Sequence, residues 1–150
     1  MKKVALYILL LAAAVLAPLR GMDVGKLQPV GLVQLYKEGE TVVIVTDTGD
    51  SGRGNNVEAA FENLEDTTPG VIFLDTADYL LISKDAVGEV EKLSSRLKAS
   101  VRLCYAEKDI EAAEAMEYLA VHRPQVLLKE SERLADAETL MMDNERLVLK

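Results

Sequence analysis

Short apolar runs alternating with amphipathic helical stretches are what most constrain this chain. Val42–Val45, Val71–Leu74, Tyr79–Ile82 and Val101–Ala106 are too short for core helices and read as strands, the second of them a buried one. Between them, Val57, Ala60, Phe61 and Leu64 fall at helical spacing behind Asn55 or Asn56 as N-cap. Ser83 stands as N-cap for a helix whose stripe is Val87, Val90, Leu93 and Leu97. Asp109 to His122 is an Ala-, Glu- and Met-rich helical stretch that Pro124 closes, before a strand-like Val126 to Lys129. A chain ordered this way packs helices on a sheet that pairs some of its strands in parallel.

The sheet is expected to start with a β-hairpin. Val30–Tyr36 and Thr41–Thr48 are rich in Val, Ile, Leu and Thr, and Gly39 in Lys37-Glu-Gly-Glu supplies the turn. The polar stretch Gly49 to Asn56 reads as a loop, and residues 130–150 as a C-terminal extension. That extension holds a short helix and a hairpin turning at Asp143-Asn144, with Leu147 and Leu149 on one face. The fold class is α/β in the broad sense, an α+β sandwich: a mixed sheet starting with a hairpin, helices packed on it, after an N-terminal hydrophobic helix. With 150 residues, 49% of them apolar, the material suffices for one small domain over residues 22–150.

Residues 1–21 read as a signal peptide or signal-anchor. Lys2 and Lys3 precede Val4 to Leu19, a run with no charge. As a helix, sixteen residues at ~1.5 Å each reach ~24 Å, short of a ~30 Å hydrocarbon core, which favours a signal peptide. Ala17 offers a small residue for cleavage, but Pro18 follows it directly, which favours retention. If the run stays in the membrane, the leading lysines place the N-terminus in the cytoplasm and the domain outside. If it is cleaved, the domain is secreted.

Beyond residue 21 the chain carries 14 basic against 25 acidic residues. That balance repels nucleic acid and anionic headgroups, and with no Trp and two Phe there is little to stack on bases. One cysteine, Cys104, excludes an internal disulfide and a Cys-based metal cage. It reads as a buried strand cysteine.

Several motifs point to chemistry and are answered by plainer readings. Asp47-Thr48-Gly49 after an apolar strand spells an aspartic-protease site, with Asp75 as the second carboxylate. Asp50 behind it and the missing Gly after Thr76 depart from that pattern, and a strand end entering a polar turn covers the same residues. Gly49-Asp50-Ser51-Gly52 matches a serine-nucleophile segment in spelling, yet the sole histidine, His122, sits at the end of a helix. Gly52-Arg53-Gly54 before a helix could cradle an anion. Asp47, Asp50, Ser51, Asn55 and Asn56 could instead ligate Ca²⁺ through oxygens, at no EF-hand spacing. Asp47, Asp50, Ser51, Arg53, Asn55 and Asp75 are therefore the candidate ligand or interface residues, with no catalytic residue, cofactor or metal ligand assigned.

The order of an apolar leader, a hairpin, a polar loop, a helix with Glu58-Ala59-Ala60 and Leu64, then Val71-Ile-Phe-Leu, Tyr79-Leu-Leu-Ile-Ser and Asp85-Ala86 resembles a known family. It is similar to the N-terminal domain of the Ger(x)C family, the C subunits of bacterial spore germinant receptors. The likeness covers Gly54 to Ala86, with Val101–Ala106 as the next strand. It implies a shortened, non-enzymatic, membrane-associated relative in a spore-forming bacterium. The family's lipid-bearing cysteine has no counterpart between residues 15 and 25. The expected function is thus a non-catalytic exported or membrane-anchored protein acting through contacts with other membrane or envelope proteins. Its alternatives are an exported hydrolase using Asp47 and Asp75, or a small-ligand or Ca²⁺ module using the Gly49–Asn56 loop.

Overall fold

The computed structural model describes residues 24–107 and 109–150, so the apolar run Val4 to Leu19 lies outside the described residues. Strand β1 (Leu27–Pro29) follows a 3-10 turn at Val24–Lys26, and β2 (Leu32–Glu38) and β3 (Thr41–Thr46) form the expected hairpin. Glu38 faces Thr41 across a two-residue turn in which Gly39 has a φ of +64°. A positive φ at the first turn position matches the right-handed twist of the strands, and glycine takes it without a Cβ clash.

The stretch expected as a loop is instead a strand, β4 (Ser51–Gly54), antiparallel to β3. Its glycines explain both the error and the structure. Helix α1 (Val57–Thr67) packs so closely on β4 that a Cβ at Gly52 would collide with the Ala60 carbonyl oxygen and lie 2.6 Å from the Leu64 Cβ. A Cβ at Gly54 would lie 2.5 Å from the Ala60 nitrogen. The segment is glycine-rich because a helix backbone approaches it. Asn56 is the N-cap, accepting from the Ala59 N–H at 2.8 Å, and Val57, Ala60, Phe61 and Leu64 are buried as their spacing predicts. Burial of a Leu or Phe side chain contributes about 1.5–3 kcal/mol.

Strand β5 (Val71–Phe73) corrects a second expectation. It is not a buried strand of the main sheet; it pairs in parallel with β1 as a separate two-stranded ribbon, and Val71 and Phe73 are exposed. Ile72 and Leu74 point inward and carry the run's apolar contribution. The Thr76 hydroxyl fastens the ribbon, accepting from the Val30 N–H at 3.0 Å and donating to the Phe73 carbonyl at 2.8 Å.

Strand β6 (Tyr79–Ile82) is buried throughout, as a strand covered on both faces must be. After it, the expected helix forms only in part. Lys84–Glu89 is 3-10 and α2 is the single turn Val90–Leu93, with Gly88 interrupting the helical stretch. The Ser83 hydroxyl bonds the Asp85 carboxylate rather than capping the backbone. Strand β7 (Arg102–Ala106), helix α3 (Ala112–Val121) and the short β8 (Val126–Leu127) follow. A kinked 3-10 segment, Leu128–Asp136, then leads to β9 (Thr139–Asp143) and β10 (Arg146–Leu149). That last hairpin turns at Asn144 and Glu145, one residue later than expected, both at positive φ.

The main sheet runs β10-β9-β7-β6-β2-β3-β4, with β8 pairing β7. Its centre, β2, β6, β7 and β9, is parallel, and the hairpins at either side are antiparallel. This is the mixed sheet with packed helices that the sequence order implies. One face carries α1, the segment 84–93 and Leu128, closing a core around Leu35, Ile44, Phe61, Leu80 and Leu103. The other carries α3, which covers Leu32, Leu81, Cys104, Leu140 and Leu147 through Ala115 and Leu119.

Candidate functional site

The parallel centre gives the sheet two unlike rims. At the amino rim, where β2, β6 and β7 begin, backbone groups are closed by side chains. Asp47, at the end of β3, accepts from the Gly31 N–H at 3.0 Å and the Leu32 N–H at 3.2 Å. Its carboxylate therefore serves as a clasp between β3 and β2. Asp75 lies exposed on the 3-10 turn Leu74–Thr76, and no hydrogen bond joins the two carboxyls.

Asp50, Ser51 and Arg53 are held in local structure. Asp50 closes the β3–β4 turn, its carbonyl accepting from the Thr46 N–H at 2.9 Å and its carboxylate from the Thr48 hydroxyl at 2.7 Å, around Gly49 with a φ of +88°. Ser51 pairs with Val45 in the ladder. Arg53 donates its backbone N–H to Asn63 of α1 at 2.9 Å and reaches across β3 with its guanidinium to Glu38 on β2 at 2.8 Å. Asn55 is exposed just before the cap. Gly54 packs directly on the first turn of α1, at Ala59 and Ala60. Among the described residues no cluster of three or more His, Cys, Asp or Glu is placed to hold a metal ion.

The open site is at the opposite rim. A cavity of about 490 Å³ lies at the carboxyl ends of β2, β6 and β7, closed on one side by the first half of β9. Tyr36 and Lys37 come from β2, Ser83 to Asp85 from the exit of β6, Tyr105 to Glu107 and Asp109 from the exit of β7, and Thr139 and Met141 from β9. Ligand sites in sheets of this kind form outside the carboxyl ends of the strands, because the diverging connections leave a crevice there. The volume is in the range of small-molecule sites, about 300–1,000 Å³.

Its chemistry combines aromatic and apolar walls with an excess of carboxylate. Tyr36, Tyr105, Ala106 and Met141 supply the body of the pocket, and Asp85, Glu107 and Asp109 stand against Lys37 and Lys84. Lys37 is already matched, with its ammonium 3.1 Å from Glu89, which also holds Lys92 at 2.7 Å. The Lys92 and Lys37 ammonium groups hold the Glu89 carboxyl below its ordinary range despite its burial. Burial, then Glu38, pushes the Tyr36 phenol above its ordinary value, so it remains a neutral donor at physiological pH. Gln34, buried on β2, donates to the Glu107 carbonyl at 3.5 Å and braces the strand exit that carries Glu107 and Asp109.

No sequence motif flags this site, since its residues come from four separate segments, the ends of β2, β6 and β7 and the first half of β9. The signal available is the strand–helix alternation, which predicts a parallel centre and hence a crevice at its carboxyl rim. Comparison with protein-family models, with curated proteins and with solved structures finds no match to this chain in any of the three.

Proposed function

We propose that this chain is a non-catalytic envelope domain that binds a small organic cation, an amine on an apolar or aromatic body, at the carboxyl rim of its sheet. The observation that carries the reading is the cavity lined by Tyr36, Tyr105, Asp85, Glu107 and Asp109. Carboxylates favour the ammonium through charge, and tyrosine faces favour it through their quadrupole. The setting follows from the charge-free run Val4 to Leu19 and the resemblance to Ger(x)C chains, which support a membrane-retained domain outside the cell, beside other envelope proteins. The bound ligand would then act by altering a protein contact.

Thermal melts with phenethylamine and with its uncharged counterpart phenylethanol test the ligand class. Phenethylamine at tenfold excess over its dissociation constant should stabilise by about 1.4 kcal/mol, phenylethanol by less, and Glu107→Gln with Asp109→Asn should remove the difference. Melting temperatures that respond equally to both compounds would sink the reading.

A further inference from the structure

We infer that the β1–β5 ribbon is a membrane-contacting edge, laid on the lipid surface so that the ligand cavity opens away from the bilayer. The inference rests on the retention of the N-terminal segment proposed above, and adds to it an orientation.

The ribbon stands at the amino rim of the parallel centre. β1 runs into Gly31, whose carbonyl accepts from the Asp78 and Tyr79 N–H groups at the start of β6, and β5 reaches Val30 through the Phe73 carbonyl. Val71 and Phe73 are 44% and 37% exposed on it, and Val121, at the end of α3 on the same rim, is 77% exposed. Arg102 fixes that end of α3 at the rim by donating to the Pro124 carbonyl at 2.7 Å. Three of the four exposed large apolar side chains among the described residues thus stand at this end of the domain, the fourth being Met142 on the β9–β10 hairpin.

The chain itself says what covers them. Residues 20–26 alone separate Leu19, the last residue of the apolar run, from Leu27 in β1. Fully extended, that tether spans at most about 29 Å, less than the ~35 Å diameter expected of a domain this size. A retained apolar run therefore holds the amino rim, rather than the carboxyl rim, nearest the lipid. Around the ribbon and the strand starts, Lys26, Lys98, Arg102 and Arg123 stand among Asp47, Asp75, Asp78 and Glu138, with Lys98 paired to Asp78 at 2.8 Å, a closer balance than in the domain as a whole, with 14 basic against 25 acidic residues beyond residue 21. That rim is the least repelled by anionic headgroups.

The test uses the full chain in phosphatidylethanolamine–phosphatidylglycerol vesicles, some lipids carrying a nitroxide quencher. Single variants Val71→Cys, Phe73→Cys and Met142→Cys take a fluorescent maleimide, Met142 being 47% exposed on the hairpin at the carboxyl rim. Native Cys104 is buried and stays unlabelled, which the labelled wild type verifies. Probes at 71 and 73 should be quenched several-fold more strongly than the probe at 142. Vesicle-bound protein with equal quenching at all three positions overturns the orientation and leaves retention standing. Protein that carbonate extraction releases from the vesicles overturns both.

Discussion

The Asp47 carboxylate lies 3.0 Å from the Gly31 amide nitrogen, so the residue that leaves the β2–β3 hairpin is bonded to the backbone that enters it. Gly31 is itself crowded, since a Cβ there would lie 2.8 Å from the Met116 methyl and 3.0 Å from the Asp47 carboxylate. Replacing Asp47 with Ala leaves the Gly31 and Leu32 N–H groups without their charged acceptor. The expected loss is about 2 kcal/mol, read as a lower urea midpoint at unchanged slope. Asp47→Asn, which keeps one acceptor oxygen, should lose less. An alanine variant as stable as the wild type would show that the clasp contributes nothing.

Gly52→Ala should be among the most damaging single-methyl changes in the chain. The added carbon meets the Ala60 carbonyl and Leu64, both parts of a helix that cannot swing aside without opening the core at Phe61. Overpacking of this kind costs about 1–3 kcal/mol, more where backbone must move. Gly88→Ala, with nothing within 4 Å of the new atom and a helical segment around it, is the matched control and should raise stability by about 0.5–1 kcal/mol. The two variants compared by thermal melt decide it.

Cys104 gives a pH dependence with a definite sign. Burial, then Glu138, pushes its thiol up to about 12 in the folded chain, while an unfolded cysteine ionises near ~8.5. The unfolded state alone gives up the proton between those values, so the thiol's contribution is intact below the lower value and falls by about 1.4 kcal/mol per pH unit above it. Urea melts from pH 7 to 10.5 should converge for wild type and Cys104→Ala as pH rises. The native thiol should also resist maleimide at pH 7 until the chain unfolds.

Glu145 sits at a φ of +63° beside Asn144 at +50° in the β9–β10 turn. Asparagine tolerates that region, whereas a glutamate pays a steric penalty there. Glu145→Gly should stabilise the chain by up to about 1 kcal/mol, seen as a higher melting temperature. Asn144→Val at the neighbouring position should lower it.

Elements whose shape follows from their own residues are the legible ones. The hairpin at Gly39, the helix behind Asn56 and the strand Tyr79–Ile82 all carry their instructions locally. β4 does not, because Ser-Gly-Arg-Gly has no strand preference and is held extended by β3 on one side and α1 above it. Val71–Phe73 misleads for the opposite reason: an apolar run normally means burial, and here alternate residues turn outward on the ribbon. Asp47, Asp50, Arg53 and Asp75 attract notice through motif spelling, yet the first three hold turns and edges together and Asp75 stands exposed on its own turn. The cavity stays hidden because topology, rather than spacing, brings Tyr36, Asp85, Tyr105 and Thr139 together.

The parallel centre also dictates an order of assembly. β2–β3 and β9–β10 are local pairs that can zip unaided, but β2 must wait for β6, and β6 for β7, across intervening helices. Non-local pairing of this sort slows the search for the native arrangement. The α3 side remains incomplete until Leu140 and Leu147 have been added to it. A nascent chain therefore stays uncommitted on one face until its final hairpin arrives, and a ribosome-stalled fragment lacking that hairpin would expose Leu81 and Leu119 to whatever chaperone is at hand.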